Sequence, residues 1–187
     1  RKLYLAAHKQ LVDQLQGIDS AYYEKNKIFI LSQLTKLRQI CCHPALCYDD
    51  YQGSSAKLEA CMELVQRAVK GKHKVLLFSQ FTSMLDLIRE RLAEQNTKYY
   101  CLTGNTDKQE RQRLVDAFQN DDTPVFLISL KAGGTGLNLT AADIVIHYDP
   151  WWNVAAQNQA TDRAHRIGQK NTVTVYRLIA KDSLEEG

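Results

Sequence analysis

The chain predicts an α/β fold: a parallel sheet with helices on both faces, preceded by an α-helical hairpin. Short apolar runs at residues 75–78, 99–102, 125–128 and 144–146 alternate with helix-period segments at about 82–95 and 107–119. Runs this short and this apolar suit strands covered on both sides, and their alternation with helices implies right-handed βαβ units. The first fifty residues lack such runs and carry two apolar stripes at helical spacing instead.

In chain order, Leu5, His8, Leu11, Val12 and Leu15 line a first predicted helix. Ile28, Leu31, Leu34, Leu37, Ile40 and Cys41 line a second. Residues 17–26 connect them, and Pro44 ends the second because the residue before a proline is pushed out of the helical region. The two stripes are expected to pack on each other or on a neighbour outside the chain. Residues 48–55 carry Asp-Asp, Gly and Ser-Ser and read as a connector. Ser54 or Ser55 then opens a helix from Lys57 to about Val69, which Gly71 closes. After the strand and helix alternation, Val173, Val175 and residues 177–179 form a last alternating run. The organisation predicted is thus 1–50 hairpin, 51–180 sheet-bearing lobe and 181–187 the beginning of something further. A start at Arg1-Lys2-Leu3 and an end at Glu185-Glu186-Gly187 read as a piece cut from a longer protein.

Composition narrows the function classes. With 44% hydrophobic and 24% charged residues the chain reads as a soluble globular protein, and no run approaches the ~18 apolar residues of a membrane span. A net charge of +3 is only mildly basic, so any nucleic-acid surface must come from local clustering. The five cysteines include Cys41-Cys42-His43 and Cys47, but no second ligand pair follows at finger-like spacing. Buried, reduced thiols are the reading, with no metal site.

Ligands of open parallel sheets bind outside the carboxyl ends of the strands. The segments following the four runs are 79–82 (SQFT), 103–106 (TGNT), 129–138 (SLKAGGTGLN) and 149–153 (DPWWN), all rich in Gly, Ser, Thr or Asn. In the third, Gly133, Gly134 and Gly136 let backbone amides approach a phosphate, and Lys131 adds a point charge. A tight structural turn would account for the same glycines. A dinucleotide fingerprint is excluded, since Leu139 stands where its third glycine belongs, and no G-x-x-x-x-G-K-[ST] exists anywhere. Trp151 and Trp152 fit either the core or a groove that stacks on bases. Thr103, Gly104 and Thr106 offer hydroxyls and amides suited to a nucleic-acid backbone.

Residues 159–169 (QATDRAHRIGQ) are the most informative stretch. Helical spacing puts Gln159, Arg163 and Arg166 on one face at i, i+4 and i+7, with Gly168 as a stop. Two guanidinium forks and an amide on one ridge suit a triphosphate. A solvated helical face would carry the same charges. His165 is turned off that face and is read as packing or solvated.

These strings resemble a known family. Residues 127–139, 149–153 and 159–169 are similar to motifs V and VI of the Swi/Snf-type superfamily-two ATPases. Residues 75–81 (VLLFSQF) resemble motif IV, and 37–44 (LRQICCHP) resemble the helical protrusion before the second motor lobe. The resemblance implies a RecA-like second lobe of a double-stranded-DNA translocase or remodeller, with 1–50 as the protrusion and 181–187 as the start of a C-terminal brace. It implies motif VI arginines at Arg163 and Arg166, the latter as the finger to the γ-phosphate of ATP, and Gln159 as a γ-phosphate sensor. Gly136 and Asn138 would approach the nucleotide. Thr103, Gly104, Thr106, Lys131, Ala132, Gly133 and Gly134 would hold strand phosphates, with Trp152 at the duplex groove. The partners implied are duplex DNA, a first RecA-like lobe and a DNA-bound protein substrate.

Two departures stand out. Val154 replaces the proline usual after W-W-N, and no Walker lysine or Asp-Glu magnesium pair is present. Asp107, Asp121, Asp122 and Asp182 sit among turn and cap residues and do not replace that pair. Mg²⁺ would therefore be held by the first lobe, and these residues alone would not hydrolyse ATP. The alternative is a non-catalytic RecA-like module for nucleic acid or protein. A small-molecule enzyme is disfavoured by the missing fingerprint and nucleophile–base pair. The strings N-L-T-A-A-D and N-V-A-A-Q-N-Q look bacterial, which implies the cytoplasm; a eukaryotic source would imply the nucleus.

Overall fold

The computed structural model describes residues 1–15, 27–44, 55–129, 139–149 and 173–179. They fall into two compact units, one reaching Ser55 and one spanning Ala56–Ile179.

In the first unit α1 (Lys2–Leu15) packs on α2 (Lys27–Cys42). The buried seam holds Ala7, Leu11, Leu37 and Ile40, with Tyr4 and Leu34 against it. The α1 stripe differs from the sequence expectation. The seam follows Tyr4, Ala7 and Leu11, whereas Leu5 and Val12 are exposed, as are Ile28 and Leu31 on α2. Each α1 seam residue except Leu11 lies one position before an expected one, and one position turns a helix face by about 100°. Counting apolar letters overlooked Ala7, a small residue that can sit in a seam between helices.

The second unit contains α3 (Ala56–Lys70), β1 (Val75–Ser79), α4 (Thr82–Glu94), β2 (Tyr99–Leu102), α5 (Lys108–Asn120), β3 (Val125–Ser129), β4 (Ile144–His147) and β5 (Thr174–Arg177). All strands pair in parallel, in the order β2-β3-β1-β4-β5. Every residue of β1 and β3 is buried, as strands covered on both faces require. On one face Leu76, Phe78, Phe126, Ile128 and Val145 pack with Leu114, Val115 and Phe118 of α5. Phe118 meets Phe126 edge-on, with ring centroids 5.2 Å apart.

The strand order assigns the helices to faces. The chain runs outward from β1 to β2 through α4 and returns to β3 through α5. A right-handed crossover whose direction reverses must change face, so α4 lies opposite α5. It buries Met84, Leu85, Ile88 and Leu92. From β4 the chain moves the other way, to β5. Connections leaving β1 and β4 therefore diverge, which makes the carboxyl ends of these neighbouring strands the switch point of the sheet.

Helices α3 and α4 end alike. His73 N–H donates to Ala68 O at 2.9 Å and Lys72 N–H to Val69 O at 3.0 Å; Thr97 and Asn96 repeat the pattern onto Leu92 and Ala93. This is the Schellman arrangement, and it puts Lys72 at φ 60° and Asn96 at φ 54°. The sequence places the stop at Gly71, and α3 does end just before it, but the left-handed position falls to the lysine. Asparagine adopts that conformation at lower cost than lysine. Lys72→Gly is expected to stabilise the chain by about 0.5–1 kcal/mol, read as a higher urea midpoint at unchanged m-value, and Asn96→Gly by less.

The amino edge of the sheet is tied down by polar contacts. Lys74 Nζ donates to the carbonyls of Phe118 and, at 2.6 Å, Asp121, covering the end of α5 while lying 4.5 Å over the Phe118 ring. Burial lowers the pKa of this ammonium, while Asp121 and Asp122 raise it. Asp143 receives the Lys74 N–H at 3.1 Å and meets His73 Nδ1 at 2.6 Å.

Candidate functional site

The carboxyl edge contrasts with the amino edge. In register, Leu102 lies beside Ile128, Ile128 beside Phe78, and Phe78 beside His147. The segments that begin at residues 79, 103, 129 and 148 therefore leave the sheet side by side.

The turn after β2 is built by its own hydroxyls. Thr103 N–H donates to Thr106 Oγ1 at 3.1 Å, Asn105 N–H to Thr103 Oγ1 at 3.4 Å, and Thr106 N–H to Thr103 O at 3.1 Å. Both hydroxyls act here as acceptors, which leaves their protons available, and neither donates to another described residue. Gly104 and Asn105 are exposed. Asp107 caps α5 by accepting from Glu110 N–H at 2.8 Å. That carboxylate occupies the helix amino terminus, so an anion at this turn would rely on the threonine hydroxyls and backbone amides.

Where β1 meets β4 the edge is closed by a buried carboxylate. Asp149 is only 1% exposed. One carboxylate oxygen accepts from the Ser79 hydroxyl and the other from Gln80 N–H at 3.0 Å. Ser79 Oγ in turn accepts from Phe81 N–H at 3.2 Å, at the residue that caps α4. Tyr148 N–H donates to Phe78 O at 2.9 Å, so the ladder runs one step past β4 before the carboxylate takes over. Lys57 sits 5.1 Å over the buried Tyr148 ring. Among the described residues, two buried polar atoms at this edge, Gln80 Nε2 and Ser129 Oγ, find no hydrogen-bond partner.

His147, the last residue of β4, stacks on Phe78 with centroids 5.6 Å apart. Burial, reinforced by the neighbouring Arg177, pushes its pKa from 6.5 down to about 4, so it is neutral near pH 7. Cys61 is likewise buried, with its thiol pushed up to about 12. Neither group titrates near neutrality. Among the described residues no three His, Cys, Asp or Glu side chains gather as metal ligands, and no helix is long and apolar enough to cross a membrane.

Of the residues singled out in the sequence, Thr103, Gly104 and Thr106 stand at this edge. Lys131, Ala132, Gly133, Gly134, Gly136, Asn138, Trp152, Gln159, Arg163 and Arg166 lie outside the described residues. The sequence reading missed the bond between Ser79 and Asp149. A lone Asp directly after an apolar strand and before a proline was the available signal, because a carboxylate there must find donors or titrate.

The chain matches the helicase conserved C-terminal domain model over residues 56–168. It is 42% identical over 190 residues to an ATP-dependent helicase of Mycoplasma pneumoniae, covering 100% of this chain and 18% of that protein. It is 50% identical over 133 residues to the chromatin-remodeling ATPase INO80 of Emericella nidulans, covering 71% of this chain and 8% of the other. Among solved structures, the Sulfolobus solfataricus SWI2/SNF2 ATPase core in complex with dsDNA matches with TM-score 0.84 and 39% identity, over 99% of this chain and 39% of that one. The chain thus spans a fifth or less of the length of these curated relatives.

Proposed function

The chain belongs to the helicase conserved C-terminal domain family, as a Swi2/Snf2-type second RecA-like lobe, and from that premise we propose that it is one half of an ATP-driven translocase on double-stranded DNA. The observation that carries the reading is the carboxyl edge. The Thr103–Thr106 turn keeps two hydroxyl protons and an exposed glycine beside the ends of β3 and β1, in a lobe that superposes on a Swi2/Snf2 core solved with duplex DNA.

In this proposal Thr103, Gly104 and Thr106, with Lys131, Ala132, Gly133 and Gly134, grip the phosphates of one strand. Such contacts position the lobe without reading sequence. Trp152 borders the groove. Gly136 and Asn138 approach the nucleotide, Gln159 senses its γ-phosphate, and Arg163 and Arg166 neutralise charge on the transferred phosphoryl group. ATP with Mg²⁺ is held by a companion first lobe of the same longer protein, which would supply the Walker lysine and Asp-Glu magnesium pair that this sequence lacks. Cleft closure and opening then shift the two lobes alternately along the duplex. Residues 1–50 act as the protrusion, 51–180 as the lobe and 181–187 as the start of the brace. A DNA-bound protein is displaced or remodelled, in the cytoplasm of a bacterial source or the nucleus of a eukaryotic one.

The test is an ATPase assay on the complete parent with single- and double-stranded DNA compared. Stimulation by duplex supports the proposal, and turnover indifferent to DNA refutes it. The 187-residue chain alone is expected to bind duplex weakly, with affinity falling as salt rises, and to turn over no ATP. Robust hydrolysis by this chain would contradict the division of the site between two lobes.

A further inference from the structure

We propose that Asp149 is a positioning residue for ATP turnover, acting by suturing the carboxyl ends of β1 and β4 at the switch point of the sheet. The proposal rests on the two-lobe reading above.

The carboxylate stands where the chain leaves the sheet for the segment that leads to Trp152, Arg163 and Arg166. It is buried, and each of its oxygens is engaged from β1: one by the Ser79 hydroxyl, the other by Gln80 N–H at 3.0 Å. Ser79 Oγ also receives Phe81 N–H at 3.2 Å, which ties the start of α4 to the same point. One side chain thereby fixes the turn from β1 into α4 and the exit from β4 relative to each other. The backbone pairing of β1 with β4 runs as far as Tyr148 N–H on Phe78 O, and the carboxylate of the next residue carries the link on to Ser79 and Gln80.

A carboxylate is an expensive group to bury, and an apolar residue would serve simple packing at lower cost. What it adds here is direction. Two donors from one strand end, the Ser79 hydroxyl and Gln80 N–H, converge on it through charge-assisted bonds, which are shorter and stronger than neutral ones. Connections leaving β1 and β4 diverge at this point, so a small rotation at residue 149 swings whatever follows. Misplacement of a reacting group by about 1 Å can cost on the order of 100-fold in rate. The distance from Asp149 to the chemistry therefore does not make it neutral to turnover.

The experiment is steady-state ATPase of the complete parent with saturating duplex, for Asp149→Ala, Asp149→Asn, Ser79→Ala and Arg166→Ala, normalised to bound ATP analogue so that only folded sites count. Asp149→Ala is expected to lower kcat about 10- to 100-fold, with KM for ATP and Kd for DNA within about twofold. Asp149→Asn keeps an acceptor for Gln80 N–H and can donate to Ser79, so it should recover kcat to within about threefold. An unchanged kcat per folded site in Asp149→Ala overturns the proposal, as does a loss carried only by KM or by the folded fraction. Should Asp149→Ala not fold, Ser79→Ala decides: a several-fold lower kcat at constant KM supports positioning, and an unchanged kcat overturns it. Wild-type turnover in Arg166→Ala would remove the finger reading itself. A dead Arg166→Ala beside an unaffected Asp149→Ala would remove only the positioning role.

Discussion

Arg166→Ala in the complete parent is expected to abolish ATP turnover while leaving ATP binding largely intact. The expectation follows from what a guanidinium can do beside a nucleotide held elsewhere. In phosphoryl transfer the charge spreads over the γ-phosphate oxygens only as the bond breaks. An arginine brought to those oxygens therefore favours the transition state over the ground state. Its removal costs roughly 10³–10⁵ in kcat in enzymes that use such a finger. Binding should suffer little, because in the proposed two-lobe site the companion lobe holds ATP with Mg²⁺ and the contacts assigned to Gln159 and Arg163 remain. Arg166→Lys keeps the charge but loses the planar fork and should not restore the rate. The measurement is single-turnover hydrolysis set beside equilibrium binding of an ATP analogue. Hydrolysis near wild type with Ala at 166 would remove this arginine from the finger role.

The second large effect concerns stability in acid. His147 is buried at the end of β4, and its folded-state pKa of about 4 lies below the ordinary 6.5. Above pH 6.5 the imidazole is neutral in both folded and unfolded chains, and stability does not depend on it. As pH falls from about 6.5 toward about 4 the unfolded chain takes up a proton that the folded one refuses, so stability declines across that window. Below about 4 the contribution is fully lost. The loss is on the order of 3 kcal/mol, a large share of the roughly 5–15 kcal/mol that holds an ordinary domain together. Urea unfolding at pH 7, 5.5 and 4, for the wild type and His147→Leu, measures it. The variant should lack the part of the acid slope that the wild type shows over this window. Parallel slopes in the two proteins would mean that burial does not hold this ring neutral.

Both effects arise at the end of β4 or beyond it, where one strand end serves packing and chemistry at once. His147 is stacked and neutral, Tyr148 extends the ladder, and Asp149 binds β1. Within three residues the chain passes from a group that must stay uncharged to one that must find donors. The difference is burial against Phe78 on one side and the open amides of the β1–α4 turn on the other.

Much of this was legible in the residues themselves. The four apolar runs became β1, β2, β3 and β4, and the helices between them fell where the period of 3.6 placed them. But β2 lies at the sheet edge with Tyr99, Tyr100 and Cys101 only half-buried, so cover on both faces holds for the inner strands and not for it. Thr103 to Thr106 stood out because they follow a strand's carboxyl end, where ligands of open parallel sheets bind, although their hydroxyls also build the turn itself. Periodicity could not tell which face of α1 meets α2. That choice depends on the partner's shape, and Ala7 took the seam while Leu5 stayed in water. Nor could it reveal that Lys72, rather than Gly71, takes the left-handed turn, since the helix ends where its last carbonyls find donors.

Local order, strand content and the chemistry offered at each strand end are thus set by side-chain pattern, which acts between near neighbours in the chain. Strand order, the switch point between β1 and β4, and the meeting of Ser79 with Asp149 across 70 positions belong to the tertiary structure. Parallel pairing joins residues that share no local signal, and only the completed sheet brings that hydroxyl and that carboxylate within reach of a proton.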